Sequence, residues 1–342
     1  MDPNYRKFPY KYKAYANVKQ EIIQRFNKLK KFNYEDRLLL DRVYTLRGME
    51  KLEPNDLLFT RNPTKEKGRY TVLLTRDTDY NDFNVLSDFF NENCRMKCIL
   101  TGRNISPYSF WHKNYKKIRK YALEKYKVIN YETLRESLYH TFFGGKGECT
   151  SFRPNIMVAM MQLFNAKIVL DSSAGWGDRL IGALAGGCEK YVAVDPNPCV
   201  NKGYDKIIKF FGAENRAKVY QMGFEDFENP DGLSFEILHS SPPYFKMEEY
   251  TSDENQSIIK YPSEDMWFEK FLKVLLNKAI LYVKKNGIIA LNIGMMGKDT
   301  YVYKMLEYMN NDKKDQVIYL GIISYSDPNF KSVNPIFIWC KK

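Results

Sequence analysis

Four consecutive residues, Ser241-Pro242-Pro243-Tyr244, combine a hydroxyl, two constrained backbone carbonyls and an aromatic ring. They follow the apolar run 235–239, which predicts a short buried strand. Two successive prolines cannot donate to a sheet ladder, and they hold the backbone extended. Because open α/β sheets keep their active sites at the carboxyl ends of strands, this tetrapeptide is the first candidate for a catalytic segment.

A second set of candidates lies upstream, where two further strands end in an acidic residue. Asp171 is followed by Gly175 and Gly177, which let the backbone pass close to a ligand and lead into a helix with unpaired N–H groups. Asp195 ends the next strand, where a carboxylate can accept hydrogen bonds from ribose hydroxyls. The pattern indicates a cofactor that contains adenosine. NAD is disfavoured, because the third glycine of the dinucleotide fingerprint would fall at Leu180.

The order of these motifs over residues 145–342 resembles the class I methyltransferases that use S-adenosylmethionine (SAM). The tetrapeptide itself resembles the catalytic motif of the members that methylate exocyclic amines of nucleic-acid bases. The resemblance implies SAM as the cofactor and a set of cofactor-binding residues at the strand ends and in the segment before the first strand. These residues are Phe152, Asp171, Ser173, Gly175, Gly177, Asp195, Glu225, Asp226 and Phe227.

The same resemblance implies the catalytic roles of Ser241, Pro242, Pro243 and Tyr244. The Ser241 side chain and the Pro242 carbonyl would accept hydrogen bonds from the amine and orient its nitrogen toward the methyl group, with Pro243 helping to hold that carbonyl in place. Tyr244 would stack on the target base, which a duplex substrate must flip out. A leading serine is more typical of cytosine N4 methylation, and Asp or Asn of adenine N6 methylation. The sequence therefore leaves the base open.

Strands and helices alternate after residue 166, which predicts an α/β fold. We expect a Rossmann-like, seven-stranded, mostly parallel sheet with helices on both faces and a C-terminal antiparallel hairpin. A basic, mainly helical region should precede it, including a helix over Tyr34–Leu46. The glycines at 144–147 suggest a hinge between a region 1–145, for nucleic-acid binding and substrate recognition, and a methyltransferase domain 146–342.

The net charge of +12 is concentrated in the first part of the chain. Residues 1–150 contain 30 Lys and Arg against 18 Asp and Glu, whereas the remainder is balanced. This asymmetry, with aromatic residues interleaved, favours a nucleic-acid partner over a merely solvated basic surface. Within the basic stretch 111–127, the residues expected to contact phosphates are Lys113, Lys116, Lys117, Arg119 and Lys120.

Other features narrow the class of protein. No apolar run is long enough to span a bilayer, the N-terminus lacks an apolar signal core, and the six cysteines show no framework spacing. We expect an intracellular, reducing location, in the cytoplasm or nucleus. No metal site is expected, because Cys94-x3-Cys98 lacks a matching second pair. Segments 84–97 and 245–257 resemble phage and large-virus methylases, so a viral source fits.

Three functional hypotheses remain at this point. The first is a methyltransferase acting on a base amine of DNA, which we favour. The second is the same chemistry on RNA, either rRNA or a cap-adjacent adenosine. The third is a non-catalytic nucleic-acid-binding subunit that keeps the fold for its shape.

Overall fold

The computed structural model describes residues 7–39, 46, 49, 51–52, 59, 71–74, 77–100, 103–143, 148–295, 299–326 and 333–342. The strands, in chain order, are β1 (Leu38–Leu39), β2 (Thr71–Leu74), β3 (Ile99–Leu100), β4 (Ile168–Asp171), β5 (Lys190–Val194), β6 (Ala217–Tyr220), β7 (Phe235–Ser240), β8 (Glu248–Glu249), β9 (Val283–Asn292), β10 (Val317–Ser326) and β11 (Val333–Lys341). The hinge predicted at 144–147 lies outside the described residues.

The α-helices follow the same order. They are α1 (Val18–Leu29), α2 (Asp77–Arg95), α3 (Pro107–Tyr126), α4 (Tyr131–Phe143), α5 (Pro154–Phe164), α6 (Asp178–Ala185), α7 (Pro198–Phe210), α8 (Ser257–Lys260), α9 (Glu264–Trp267), α10 (Lys273–Tyr282) and α11 (Tyr301–Glu307). A π-helical turn, Phe268–Leu272, joins α9 to α10, and a second one, Tyr308–Asp312, extends α11.

Nine strands of the described chain form one sheet, in the order β1-β2-β10-β11-β9-β7-β4-β5-β6. The five strands β6, β5, β4, β7 and β9 are parallel, whereas β11 is antiparallel to both β9 and β10. From β4 the chain winds first toward β6 and then, from β7, toward the opposite edge. The Rossmann-like seven-stranded sheet and its terminal hairpin are therefore confirmed, and a crevice is expected at the carboxyl ends of β4 and β7, where the winding reverses.

Alternate side chains of the central parallel strands enter two hydrophobic cores on opposite faces of the sheet. Val169 of β4 and Ile237 of β7 pack under α5, α6 and α7, whereas the neighbouring Leu170 and Leu238 pack under α10 and α11. Because both faces are covered by helices, these strands are apolar throughout rather than alternating. The prediction of helices on both faces is confirmed.

The N-terminal region contributes to the same structure. β2 adds in parallel to the outer edge of β10, and β1 pairs with β2, so two further strands extend the seven that the sequence predicted. α1 packs on α2, and α2 packs on α6 and α7. α3 and α4 pack on each other around a small separate core that contains Phe8, Trp111, Ile118 and Leu134. The boundary between residues 145 and 146 remains a prediction.

The helix predicted over residues 34–46 is wrong in its described part. A 3₁₀ turn (Glu35–Arg37) leads directly into β1. Asn33 accepts a hydrogen bond from the Glu35 N–H (3.3 Å), which favours a turn at this point. Pairing of β1 with β2 at the sheet edge then holds the following residues extended.

Four of the six cysteines form two bridges, Cys94–Cys199 and Cys98–Cys149. The partners are 105 and 51 residues apart, so no local spacing in the sequence indicates them. The first bridge joins the last turn of α2 to α7, and the second joins the residues just after α2 to the segment that precedes α5. Over the ranges described, no helix is long and apolar enough to cross a bilayer.

Candidate active site

A cavity of about 360 Å³ opens at the carboxyl ends of β4, β5, β7 and β9, where the winding of the sheet reverses. This volume falls within the range of roughly 300–1,000 Å³ that is usual for ligand sites. Residues predicted from the sequence form much of its wall. They are Phe152, Ser173, Gly175, Asp195, Glu225, Ser241, Pro242, Pro243 and Tyr244.

The glycine loop after β4 has a backbone that only glycine adopts readily. Gly175 has φ +61° and Gly177 has φ +94°. A Cβ added at Gly177 would lie 2.6 Å from Cδ1 of Ile207, so the close approach of α7 also requires glycine there. Gly175 faces the cavity, whereas Gly177 begins α6 behind it.

Asp195 closes the loop from the end of β5. Its Oδ2 accepts a hydrogen bond from the Gly175 N–H (2.8 Å), and its Oδ1 accepts one from the Asn197 N–H (3.0 Å). Burial raises the pKa of Asp195 to about 6, although these two N–H groups act in the opposite direction. Each oxygen keeps a further lone pair, so the carboxylate can hold its loop and still accept from a ligand hydroxyl.

Asp171, predicted to bind the cofactor, lies behind the wall of the cavity. Its carboxylate accepts hydrogen bonds from Arg179 Nε (2.8 Å), Tyr191 OH (2.8 Å), Ser240 Oγ (2.7 Å) and the Ser173 N–H (3.1 Å). It is fully buried and ion-paired. The arrangement makes Asp171 a residue that shapes the glycine loop, because its oxygens are already occupied by protein donors.

The three residues predicted after β6 lie in different environments. Glu225 lines the cavity, and its Oε1 accepts from Lys260 Nζ (2.8 Å) and Tyr261 OH (3.0 Å). Asp226 is 64% exposed and pairs with Lys260 at 3.5 Å. Phe227 is buried, with its ring 5.8 Å from the ring of Phe224.

A chain of hydrogen bonds orients the hydroxyl of Ser241. Tyr244 OH donates to Asn292 Oδ1 (2.9 Å), and Ser241 Oγ lies 3.0 Å from the same tyrosine oxygen. The amide of Asn292 is oriented by its Nδ2, which donates to the Pro335 carbonyl (2.7 Å), so its Oδ1 faces Tyr244. Since the tyrosine proton is used on Asn292, Ser241 must donate to Tyr244. The lone pairs of the Ser241 oxygen are then left to accept hydrogen bonds in the cavity.

A polar and aromatic loop follows the catalytic candidates and lines the cavity. Its lining residues are Met247, Glu248, Tyr250, Thr251, Asp253, Asn255, Gln256 and Ser257. Within this loop β8 pairs with β3, which connects α2 to α3. The rim of the cavity is thereby joined to the basic N-terminal region.

The five basic residues predicted to contact phosphates all lie on α3. Lys113, Lys116, Lys117, Arg119 and Lys120 are exposed, whereas Ile118 of the same helix is buried. Lys120 makes a surface ion pair with Glu124 at 3.7 Å, which contributes little to stability. Exposed Lys and Arg side chains are the groups that make electrostatic contacts with a phosphate backbone.

The donors and acceptors of the cavity fit SAM. Among the described residues, Ser151 Oγ, Ser172 Oγ, Asp178 Oδ2 and Glu225 Oε2 are buried, belong to lining residues and lack a hydrogen-bond partner. Buried polar atoms without partners are costly and usually indicate a ligand or ordered water. SAM presents ribose hydroxyls, an ammonium group and a sulfonium, which suit a wall rich in hydroxyls and carboxylates.

Many lining residues were not among the sequence candidates, and Asn292, Trp176 and Asp178 are three of them. Asn292 is a polar residue at the end of the apolar strand β9, next to β7, and that position could have identified it. Trp176 lies inside the glycine loop, where its indole N–H donates to the Thr150 carbonyl at 3.2 Å.

No protein-family profile and no curated protein matches the chain. Among solved structures, the chain resembles a candidate rRNA methylase from Clostridium thermocellum, with a TM-score of 0.40 and 14% identity over 57% of this chain and 98% of the other. It also resembles an rRNA methylase from Streptococcus thermophilus, with a TM-score of 0.38 and 16% identity over 57% and 99% of the two chains.

Trm5 of Methanocaldococcus jannaschii, solved in complex with adenosine, matches with a TM-score of 0.34 and 17% identity over 56% of this chain and 49% of that one. At these TM-scores the likenesses indicate nothing about the substrate. The strand order of the chain itself defines its α/β fold.

Proposed function

We propose that this protein is a SAM-dependent methyltransferase that modifies an exocyclic amine, adenine N6 or cytosine N4, of a base in nucleic acid. The observation that carries the proposal is the orientation of the Ser241 hydroxyl. Its proton is used on Tyr244, so its oxygen is an acceptor that faces the cavity. An amine offers N–H donors to such an oxygen, whereas a carbonyl or ring nitrogen does not.

The residues around Ser241 account for how an amine could react. An exocyclic amine is a weak nucleophile because its lone pair is delocalised into the ring. Hydrogen bonds from its two N–H groups to Ser241 Oγ and the Pro242 carbonyl favour a pyramidal nitrogen whose lone pair points away from both acceptors. Pro243 restricts the backbone that carries this carbonyl. The ring of Tyr244 lines the same cavity and offers a stacking surface for the base.

The cofactor side of the cavity is assigned to the glycine loop and the strand ends. Asp195 would accept from the ribose hydroxyls, and Glu225, with one unpartnered oxygen, from the adenine or ribose. Ser151, Ser172 and Asp178 offer acceptors for the ammonium end. When bound, SAM supplies an activated methyl group. The chain's own part is to orient the amine and keep water out.

The choice of nucleic acid as substrate rests on charge. The excess positive charge lies in residues 1–150, and the exposed lysines of α3 belong to the region that β3 and β8 join to the cavity rim. DNA is our first candidate substrate. RNA, either rRNA or a cap-adjacent adenosine, presents the same phosphates and the same amines, so it is tested in parallel.

The direct test is transfer of labelled methyl groups from SAM to duplex DNA, single-stranded DNA and RNA, followed by digestion to nucleosides. We expect label in N6-methyladenosine or N4-methylcytidine, as the deoxyribo- or ribonucleoside. Ser241→Ala should abolish transfer while SAM still binds. Ser252→Ala is the matched control, because Ser252 is exposed and does not line the cavity.

Failure of the wild-type protein to label any nucleic acid would refute the proposal. Calorimetric titration then distinguishes the remaining cases. Binding of SAM without transfer would indicate another methyl acceptor, whereas undetectable binding would favour a non-catalytic nucleic-acid-binding subunit.

The role of α3 is tested by reversing charge at Lys116, Lys117 and Lys120 together. Each lost phosphate contact should lower the slope of log affinity against log salt by about 0.9 for duplex DNA. Affinity should fall most at low salt. Filter binding or fluorescence anisotropy across a salt series measures both.

The matched control reverses three exposed lysines of α7, Lys202, Lys206 and Lys209, which gives the same change in net charge on another helix. We expect a smaller change in the salt slope. Equal loss in both variants would mean that net charge, and not α3, governs binding. Loss only in the α7 variant would place the phosphate contacts there.

A further inference from the structure

The glycine loop between β4 and α6 has few side chains of its own to hold it. Gly175 and Gly177 both have positive φ, and such residues lose much conformational freedom when they are ordered. A loop of this kind binds tightly only if contacts from outside order it beforehand. Two such contacts come from within the predicted methyltransferase domain: Asp195 accepts from the Gly175 N–H, and Tyr204 OH donates to the Gly175 carbonyl.

Two further contacts come from α2, which lies outside the predicted methyltransferase domain. Asn91 Nδ2 donates to the Trp176 carbonyl at 2.9 Å, and Ser87 Oγ donates to Asp178 Oδ1 at 2.5 Å. Both α2 residues are buried. They hold the loop on either side of Gly177.

One stripe of α2, continued just beyond the end of the helix, makes these two contacts and two disulfide bridges. Ser87, Asn91, Cys94 and Cys98 are spaced by four, three and four residues, so the first three share one face of the helix and Cys98 continues the line just beyond it. Cys94 is bridged to Cys199, the second residue of α7, and Cys98 to Cys149, shortly before Phe152 of the cavity wall. The stripe therefore contacts three segments that surround the cavity.

The fit between α2 and α7 is built around the amide of Asn91. A Cβ added at Gly203 of α7 would lie 1.7 Å from Asn91 Oδ1. Glycine inside a helix is otherwise unfavourable. At position 203 it leaves the space that the Asn91 amide occupies. An apolar residue at position 91 would fill space equally well but could not donate to the Trp176 carbonyl.

We propose that Asn91 and Ser87 are positioning residues for the cofactor loop, so that helix α2 of the N-terminal region completes the cofactor site. This inference rests on the proposed function, because it assigns the loop to SAM. Neither side chain lines the cavity. Asn91 acts through the Trp176 carbonyl, and Ser87 acts through the Asp178 carboxylate.

The test uses the full chain with Asn91→Ala, and Asn93→Ala as the matched control. Asn93 is an exposed asparagine on the same helix, two residues away. Loss of one buried hydrogen bond to the loop should weaken SAM binding by about fivefold to tenfold in calorimetry at a temperature where the variant is fully folded. Asn93→Ala should bind SAM as the wild type does.

A second readout needs no cofactor. Trp176 is 6% exposed, whereas the other three tryptophans, Trp111, Trp267 and Trp339, are 0% exposed. Release of the Trp176 carbonyl in Asn91→Ala should increase acrylamide quenching of tryptophan emission. A residue that only stabilised the fold would lower the melting temperature and leave quenching and SAM affinity in the folded protein unchanged.

Gly203→Ala disturbs the same contact between α2 and α7, but from the α7 side. Its Cβ should displace the Asn91 amide and reproduce the loss of SAM affinity. In the double variant, Asn91→Ala with Gly203→Ala, the clash is gone, so affinity should be no lower than in Asn91→Ala alone. Additive losses would overturn the proposal, as would wild-type quenching and wild-type SAM affinity in Asn91→Ala.

The two proposals fail in different ways. If the wild-type protein binds no SAM, the proposed function fails, and with it the assignment of the loop to SAM. The quenching measurements then still decide whether Asn91 holds the loop. If the wild type binds SAM and Asn91→Ala binds it equally well, only the role of Asn91 is overturned.

Discussion

Replacing Tyr244 by phenylalanine removes one hydroxyl and keeps the ring that would stack on the base. The lost hydroxyl donates to Asn292 Oδ1 (2.9 Å) and lies 3.0 Å from Ser241 Oγ, whose proton it accepts. Without this acceptor, the Ser241 proton can turn toward the substrate amine. A donor would then face a donor, and the hydrogen bond that orients the amine would be lost.

The expected size of the effect follows from the number of contacts. One neutral hydrogen bond contributes about 0.5–1.5 kcal/mol, and about 1.4 kcal/mol corresponds to a tenfold change in rate. We therefore expect kcat to fall by about tenfold in Tyr244→Phe. KM for the nucleic acid should be unchanged, because the stacking ring is retained. Stability should fall by only about 1 kcal/mol, since Asn292 Oδ1 keeps the hydrogen bond from Tyr325 (3.2 Å).

The assay is single-turnover transfer of labelled methyl groups at saturating SAM and nucleic acid. Tyr325→Phe is the matched control, because it removes a hydroxyl that donates to the same oxygen of Asn292. Its rate should stay near that of the wild type. Equal rates for wild type and Tyr244→Phe would refute the assigned direction of the hydrogen bonds. An equal decrease in both tyrosine variants would mean that the lower rate arises from Asn292 and not from the Ser241 hydroxyl.

Two further outcomes are expected. SAM affinity should fall by at least about tenfold between pH 7.5 and pH 5, because burial raises the pKa of Asp195 to about 6 and only its ionised form accepts from both ribose hydroxyls. Burial also raises the pKa of Asp178 to about 7, so protonation of Asp178 acts in the same direction. Asp195→Asn should bind weakly at both pH values, and a wild-type affinity independent of pH would contradict the role of Asp195. Phe227→Ala should lower the free energy of unfolding in urea by about 3–5 kcal/mol, because the ring is buried. The SAM affinity of this variant should be unchanged. A loss of SAM affinity with unchanged stability would mean that Phe227 contacts the cofactor.

Local pattern was sufficient to predict most of the second half of the chain. The strands β4 to β7 and β9 to β11 and the glycine turns are short-range features, since apolar runs end at glycine, proline or an acidic residue whatever lies around them. The residues at these strand ends, such as Gly175, Asp195 and Ser241, were therefore found without the structure. Their common location follows from the rule that parallel strands carry their carboxyl ends to one edge.

The sequence was less informative where a residue's role depends on distant neighbours. Asp171 and Asp195 both end strands and look equivalent in the sequence. Only the fold places Arg179, Tyr191 and Ser240 around Asp171 and leaves Asp195 facing the cavity. Long-range packing likewise separated Glu225, on the wall, from Phe227, in the core.

What the sequence by itself determined is the order of strands and turns, the serine and tyrosine at the end of β7, and the concentration of positive charge in the first 150 residues. These are properties of neighbouring residues or of composition. Only the tertiary structure decided that Ser241 is an acceptor, because Asn292 is 48 residues from Tyr244 in the chain. Only the tertiary structure brought Asn91 to the glycine loop across 85 residues, because hydrogen bonds of this kind leave no periodic trace in a sequence.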